Sequence, residues 1–165
     1  MTQEKQASFT KDLENKKIEV VREFDAPVQQ VWKAWTDSNI LNQWWAPKPW
    51  KAGTKSMDFR EGGTWLYYME GPEGERHYCR ADYSSIVPGK SFEVDDAFTD
   101  ENGKPNNEFP GMRWQITFDG TKDNTTLVRC NVSFKSVEDL EGILNIGFKE
   151  GFEAAHGNLD KILSR

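Results

Sequence analysis

Between residues 18 and 134 apolar side chains recur mostly at every second position, and from residue 137 onward at every third or fourth. A period of two puts alternate side chains on opposite faces of a strand, whereas a period near 3.6 gathers them on one face of a helix. The chain is therefore expected to lay down strands first and one long helix last. That helix is marked by Leu140, Leu144, Phe148, Gly151, Ala155, Leu159 and Ile162. Periodicity supplies these elements and leaves their arrangement open.

In the first strand Ile18, Val20, Arg22 and Phe24 alternate with Glu19, Val21 and Glu23, and Asp25-Ala26-Pro27 ends it. Pro27 suits the first turn of a helix, where an amide hydrogen is not needed. Val28, Val31, Trp32 and Trp35 share helical spacing, and Thr36-Asp37-Ser38 offers a break and a new N-cap before Ile40, Leu41 and Trp44. Two short helices are expected there. Residues 51–59 read as a second strand leading into the Glu61-Gly62-Gly63 turn. Trp65, Tyr67 and Met69 share one face of the next strand, and His77, Cys79, Ala81 and Tyr83 one face of its successor across the Gly71-Pro72-Glu73-Gly74 turn. Phe92, Val94 and Phe98 mark another strand, as do Met112, Trp114, Ile116 and Phe118, and then Val128, Cys130, Val132 and Phe134. No repeat, linker or low-complexity segment divides the chain, so residues 18–165 are expected to form one domain behind a polar arm over residues 1–17.

Charge limits the partners. With 21 Lys and Arg against 27 Asp and Glu the net charge is −6, and no basic run occurs, which argues against a nucleic-acid or anionic-membrane surface. Residues 1–17 lack the apolar run of a signal peptide and no stretch is long and apolar enough to span a bilayer, so a bacterial-type cytoplasmic location is expected. Seven Trp and ten Phe in an otherwise polar chain suggest a few large rings concentrated inside a solvated shell. Cys79 and Cys130 fall within strands and are expected to be packed and reduced.

Four segments carry a resemblance: Phe24-Asp25-Ala26-Pro27, Val31-Trp32-Lys33-Ala34-Trp35-Thr36, Trp44-Trp45-Ala46-Pro47 and Asp58-Phe59-Arg60-Glu61-Gly62-Gly63-Thr64-Trp65. In this order and at these intervals they resemble the START-like (SRPBCC, Bet v 1-like) helix-grip superfamily, and within it the AHSA-like branch named for the C-terminal domain of the activator of Hsp90 ATPase. The resemblance extends over nearly all of residues 18–163. It implies an α+β helix-grip fold, a curved antiparallel sheet wrapped around the long C-terminal helix with two short helices after the first strand. It also implies a cavity, because one helix fills a strongly curved sheet incompletely.

The final helix holds Gly142, Gly147, Gly151 and Gly157, each disfavoured inside a helix by roughly 1 kcal/mol relative to alanine. Gly147 and Gly151, four apart, clear one strip of its surface, either for close packing or for a ligand beside Phe148, Phe152 and His156. The resemblance puts Trp44 and Trp45 at the mouth, and since adjacent helical residues face different ways, one of them is expected to line it. With the inward strand residues added, the expected wall is Trp44, Trp45, Trp65, Tyr67, Met69, Tyr83, Phe98, Trp114, Gly147, Phe148, Gly151 and Phe152.

Signals of catalysis are weaker. His77, Cys79, Cys130 and His156 show neither CxxC nor HExxH spacing, so no metal or other cofactor is expected. No GxSxG elbow or Cys–His signature occurs, and no catalytic residue is assigned. Asp58 and Arg60 read as an ion pair at a turn. Asp95 and Asp96 are adjacent on a strand and so point to opposite faces, which argues against a carboxylate pair. The leading expectation is a binding protein for a hydrophobic or aromatic small molecule. The resemblance implies two alternatives: an enzyme like the polyketide cyclases and aromatases, drawing on Tyr67, Tyr83, His77 or His156, and a stress- or chaperone-related interaction domain. A chaperone partner is the weaker of these, since the eukaryotic co-chaperone carries an additional N-terminal domain that this sequence lacks.

Overall fold

The computed structural model describes residues 7–106 and 111–164. Its strands are β1 (Ser8–Asp12), β2 (Lys17–Phe24), β3 (Lys51–Met57), β4 (Thr64–Glu70), β5 (Arg76–Val87), β6 (Ser91–Thr99), β7 (Met112–Gly120) and β8 (Thr126–Ser133). Helices α1 (Val28–Thr36) and α2 (Ser38–Trp44) lie between β2 and β3, while α3 (Val137–Asn145) and α4 (Phe148–Leu163) follow β8. The strands make one curved, open, antiparallel sheet in the order β1-β2-β8-β7-β6-β5-β4-β3. This is the expected α+β helix-grip architecture. Hairpins join β3 through β8 in sequence, and the α1–α2 segment carries the chain from β2 to the far edge strand β3.

The sequence alternation reappears as an alternation of burial. Ile18, Val20, Arg22 and Phe24 of β2 are buried, as are Thr126, Val128, Cys130 and Val132 of β8 and Trp114, Ile116 and Phe118 of β7. The register continues the rows across the sheet, with Trp114 between Val94 and Val132 and Cys79 between Tyr67 and Phe98. Asp37 caps α2 by accepting from the Asn39 amide at 2.9 Å, and Ser136 Oγ caps α3 by accepting from Asp139 at 3.1 Å. No helix among the described residues is long and apolar enough to cross a membrane.

Two elements differ from expectation. Part of the polar arm is a strand: Ser8–Asp12 pairs with β2 from Ser8 opposite Val21 to Asp12 opposite Lys17, and Phe9 packs against the core. The arm's residues 1–6 lie outside the described residues. The C-terminal helix is two helices and not one, broken at Gly147, whose φ of +94° belongs to the left-handed region that glycine enters without steric cost. The amides of Ile146 and Gly147 close the end of α3 on the carbonyls of Gly142 and Leu144. Leu144 and Phe148 keep the spacing of a continuous helix across the break, so the periodicity gives no sign of it.

One charged residue lies on the buried face of the sheet near its β1 side. Arg22 is 4% exposed, and its two terminal nitrogens donate to Asp160 of α4, Nη1 to Oδ1 at 2.9 Å and Nη2 to Oδ2 at 2.6 Å. Its guanidinium also lies over the Phe24 ring at 4.7 Å and donates to the His156 carbonyl at 3.4 Å. Two parallel charge-assisted bonds hold both position and angle. Removing one partner of a buried pair strands the other charge, so Asp160→Ala is expected to lower the unfolding free energy by about 3 kcal/mol, whereas Arg22→Met combined with Asp160→Leu recovers most of that loss. Urea denaturation of the three proteins measures this; a loss below about 1 kcal/mol for Asp160→Ala would mean that the guanidinium is satisfied without Asp160.

Candidate functional site

Where α3 meets α4, the helices stand off the sheet and leave a cavity of about 210 Å³. Its sheet side is Tyr67 and Met69 of β4, Cys79 of β5, Asp96 and Phe98 of β6, and Met112 and Trp114 of β7. The helix side is Ile143, Ile146, Gly147, Phe148, Gly151 and Phe152, and Trp45 with Pro47 closes it from the segment after α2. Ile146 is 62% exposed, an apolar side chain standing at the rim.

Rings dominate this wall because the alternation of β4 and β7 and the turn of α4 aim them at one volume. Phe148 and Phe152 stack at 5.5 Å, one helical turn apart, and Trp114 meets both edge-on at 5.8 and 5.5 Å. Trp45 bridges the two layers, 5.9 Å from Trp114 and 6.0 Å from Phe152. A Cβ added at Gly151 would touch Pro47 at 3.6 Å, so a larger side chain there would grow into the space between α4 and the α2 end.

Of the residues expected on the wall, Trp45, Tyr67, Met69, Phe98, Trp114, Gly147, Phe148, Gly151 and Phe152 stand on it. Trp44, Trp65 and Tyr83 do not. Trp44 is fully buried behind Trp45, its indole N–H donating to the Ala34 carbonyl at 2.9 Å, as the opposed directions of adjacent helical residues require. Trp65 and Tyr83 line a separate void of about 20 Å³. From there Trp65 stacks on Tyr67 at 3.9 Å and fixes its ring. The expected acid–base candidates scatter as well: His77 is exposed against Trp50, and His156 is enclosed by Phe24, Trp35 and Phe152 away from the cavity wall. Asp58 and Arg60 form the expected surface ion pair at 2.6 Å.

The expected set also lacked Pro47, Cys79, Asp96, Ala97, Met112, Ile143 and Ile146 of the wall, and among these Asp96 is the carboxyl. Asp96 is buried at 8% exposure, and Tyr67 Oη donates to its Oδ2 at 3.0 Å. Its other oxygen, Oδ1, is buried with no hydrogen-bond partner among the described residues. Burial pushes the carboxyl up to about 7, the Tyr67 hydrogen bond acting in the opposite direction. Burial and the nearby Asp96 raise the Tyr67 hydroxyl far above its ordinary range, and the same two causes raise the Cys79 thiol. The next residue, Asp95, points outward to Arg113 at 3.0 Å. The period of two running through Phe92, Val94 and Phe98 already assigned position 96 to the inner face.

A family model described as activator of Hsp90 ATPase homolog 1-like protein matches residues 25–164. The chain belongs to this family. Solved structures of similar proteins share its fold. Protein Ms6760 from Mycobacterium smegmatis is 29% identical, with a TM-score of 0.87 over 94% of this chain and 95% of its own. A protein from Arthrobacter aurescens is 32% identical, with a TM-score of 0.89 over 95% and 91%. An AHSA1 protein from Silicibacter pomeroyi, at 17% identity and a TM-score of 0.69 over 90% and 97%, shares the fold alone. Among curated proteins none matches the chain.

Within this Hsp90-activator-like domain two of the buried titratable groups, Asp96 and His156, set opposite pH dependences. Asp96 has its ordinary value of 3.8 in the unfolded chain and about 7 in the fold, so its burial carries no ionisation penalty below 3.8 and the advantage is lost as pH rises through 7. A separation of about three pH units corresponds to on the order of 4 kcal/mol. His156, held neutral by burial and by the Arg22 charge, falls from 6.5 to about 3, so its contribution is present above 6.5 and lost as pH falls toward 3. Asp96→Asn is therefore expected to be near neutral for stability around pH 4, to stabilise by several kcal/mol around pH 8, and to uncover the acid sensitivity of His156 between them. Urea unfolding across that range decides; an equal effect at both ends would show that Asp96 is not buried as the neutral acid.

Proposed function

We propose that the chain is a binding protein for a compact aromatic or otherwise apolar small molecule, held between the sheet and the α3–α4 elbow. The observation that carries this is a space of about 210 Å³ walled by Trp45, Trp114, Phe98, Phe148 and Phe152. A well-packed interior leaves few voids larger than a water, and a space of this size lined by rings supports a ligand site. It exceeds the roughly 150 Å³ of an apolar cavity that accepts benzene and falls below the ~300–1,000 Å³ typical of drug-sized ligands. A ligand of one or two fused rings fits that interval. Family membership supports ligand binding in general, and the size of the space narrows it.

A ligand that binds only the native state stabilises by RT ln(1 + [L]/Kd), about 2.7 kcal/mol at a hundredfold excess over Kd, which for a chain of this length is roughly 5–10 °C in Tm. Thermal shift against a panel of one- and two-ring aromatics is expected to give saturable shifts of that order for some members, together with native mass spectrometry to detect a co-purifying species. Gly151→Leu from the helix side and Met69→Trp from the sheet side are each expected to remove the shift while the protein remains folded. Shifts that survive both substitutions, or none across the panel, would sink the proposal.

A further inference from the structure

We infer that the α3–α4 elbow, residues 144–151, is the door of this cavity: a segment that swings off the sheet about Gly147 to admit and release the ligand while the floor stays fixed. The inference rests on the reading of the cavity as a ligand site and adds how that site exchanges its contents.

The walls of the cavity differ in how they are held. Tyr67, Cys79 and Trp114 on its floor are buried, and their strands β4, β5 and β7 each have a hydrogen-bonded neighbour on both sides. Such a strand moves outward only by breaking two ladders. On the next wall Trp45 is backed by the fully buried Trp44, 5.3 Å away. The helices are fixed on either side of the elbow. Leu140 and Ile143 of α3 are buried, and beyond Phe152 the Asn158 Nδ2 of α4 donates to the Ala46 carbonyl at 3.1 Å while Asp160 holds Arg22. Between Ile143 and Phe152, in contrast, no side chain is buried. Yet Ile146, Gly147, Phe148 and Gly151 of that stretch form the helix side of the cavity wall.

Ile146 both lines the cavity and is 62% exposed, so this wall is where the cavity meets solvent. The backbone there is made to bend. α3 closes on the amides of Ile146 and Gly147, and α4 starts at Gly147 with no side chain capping its first turn. What shuts the elbow is packing: Phe148 lies against Trp114 at 5.8 Å and Phe152 at 5.5 Å, and the Lys149 ammonium stands 5.6 Å over the Phe9 ring. A segment held by few buried contacts opens locally at a free energy well below that of global unfolding, and a hinge needs only one or two residues to absorb the backbone change. Gly147 is suited to that role. Its φ is +94°, and an added Cβ would meet nothing nearer than Glu150 Oε2 at 4.0 Å, so the bend and not crowding calls for glycine.

The test uses the full chain with 1-fluoronaphthalene, a neutral two-ring probe whose fluorine resonance reports free and bound populations and the rate of exchange between them. Alanine in the left-handed region disfavours the closed elbow by about tenfold, whether the cavity is empty or filled. Gly147→Ala is therefore expected to speed entry and exit together by about tenfold, their ratio staying level. Gly89→Ala is the control, since Gly89 has a φ of +74° with nothing within 4 Å of an added Cβ and lies in the β5–β6 turn. It places the same backbone cost on the fold and is expected to leave both rates as in the wild type. In the wild type, the amides of residues 144–151 are expected to exchange with deuterium about tenfold faster than those of 153–163, and to slow when the probe binds. Entry and exit left unchanged by Gly147→Ala, exchange accelerated equally by Gly89→Ala, or elbow amides as protected as residues 153–163 would each overturn the door while leaving the cavity as a ligand site. Failure of the probe and of every one- and two-ring panel member to bind removes the ligand-site reading and this inference with it. Should Gly147→Ala fail to fold by circular dichroism, deuterium exchange of the wild type decides alone.

Discussion

The ion pair between Arg22 and Asp160 ties the C-terminal half of α4 to the second strand, and much of the remaining geometry follows from that attachment. A long helix laid straight across a curved sheet would touch it along its whole length or lift away at both ends. Here the far end is pinned by a two-pronged bond, with Leu159 and Leu163 buried beside it. The near end begins anew at Gly147, whose left-handed backbone turns α3 away from the axis of α4. The helix is thus held down at one end and released at the other, and the released end faces Tyr67, Phe98 and Trp114 across open space. Neither device alone would do this: without the pin the elbow could settle onto the sheet, and without the elbow a continuous helix would run on over the cavity.

The distribution of charge shows the same division of labour. Arg22 is buried but fully engaged, by Asp160 and by the Phe24 ring, so it orders the fold. His156 is buried with both ring nitrogens unpartnered among the described residues, packed as a ring among rings and kept neutral by that environment and by Arg22. Asp96 is different in kind: its Oδ2 accepts from Tyr67 while its Oδ1 is buried without a partner among the described residues. An ion pair on the surface, such as Asp95 with Arg113 one residue earlier, contributes at most about 1 kcal/mol and can be rearranged freely. The carboxyl one position later cannot.

Much of this was legible in the sequence. The period of two located β2 and β4 through β8, β3 was read from its place before the Glu61-Gly62-Gly63 turn, and the spacing of Val28, Val31 and Trp35 located α1. β1 escaped because Phe9 alone gives no alternation to read. The break at Gly147 escaped because apolar spacing measures the face of a helix and is blind to a bend that keeps the face in phase; four glycines in one helical run were the available signal, and the φ of one of them decided which mattered. At the candidate site the rings of β4, β7 and α4 were foreseen, while Trp65 and Tyr83 share the inner face but sit one layer behind, a distinction of depth that periodicity does not carry. Asp96 was passed over for a sound reason applied to the wrong question. Adjacent strand residues do face opposite ways, which removes a carboxylate pair, but the same rule puts one of the two inside.

The inward carboxyl of Asp96 is a feature that packing alone does not explain. If the wall served only stability, Phe at 67 and Leu at 96 would fill nearly the same volume and leave no polar group unmet, and replacing buried polar partners by apolar groups of similar shape is commonly neutral or stabilising. The chain instead keeps a hydroxyl and a carboxyl that satisfy each other by one bond and leave one oxygen over, in a place where ionisation is disfavoured. Local rules of this kind are broken mainly where something other than the fold makes use of the breach.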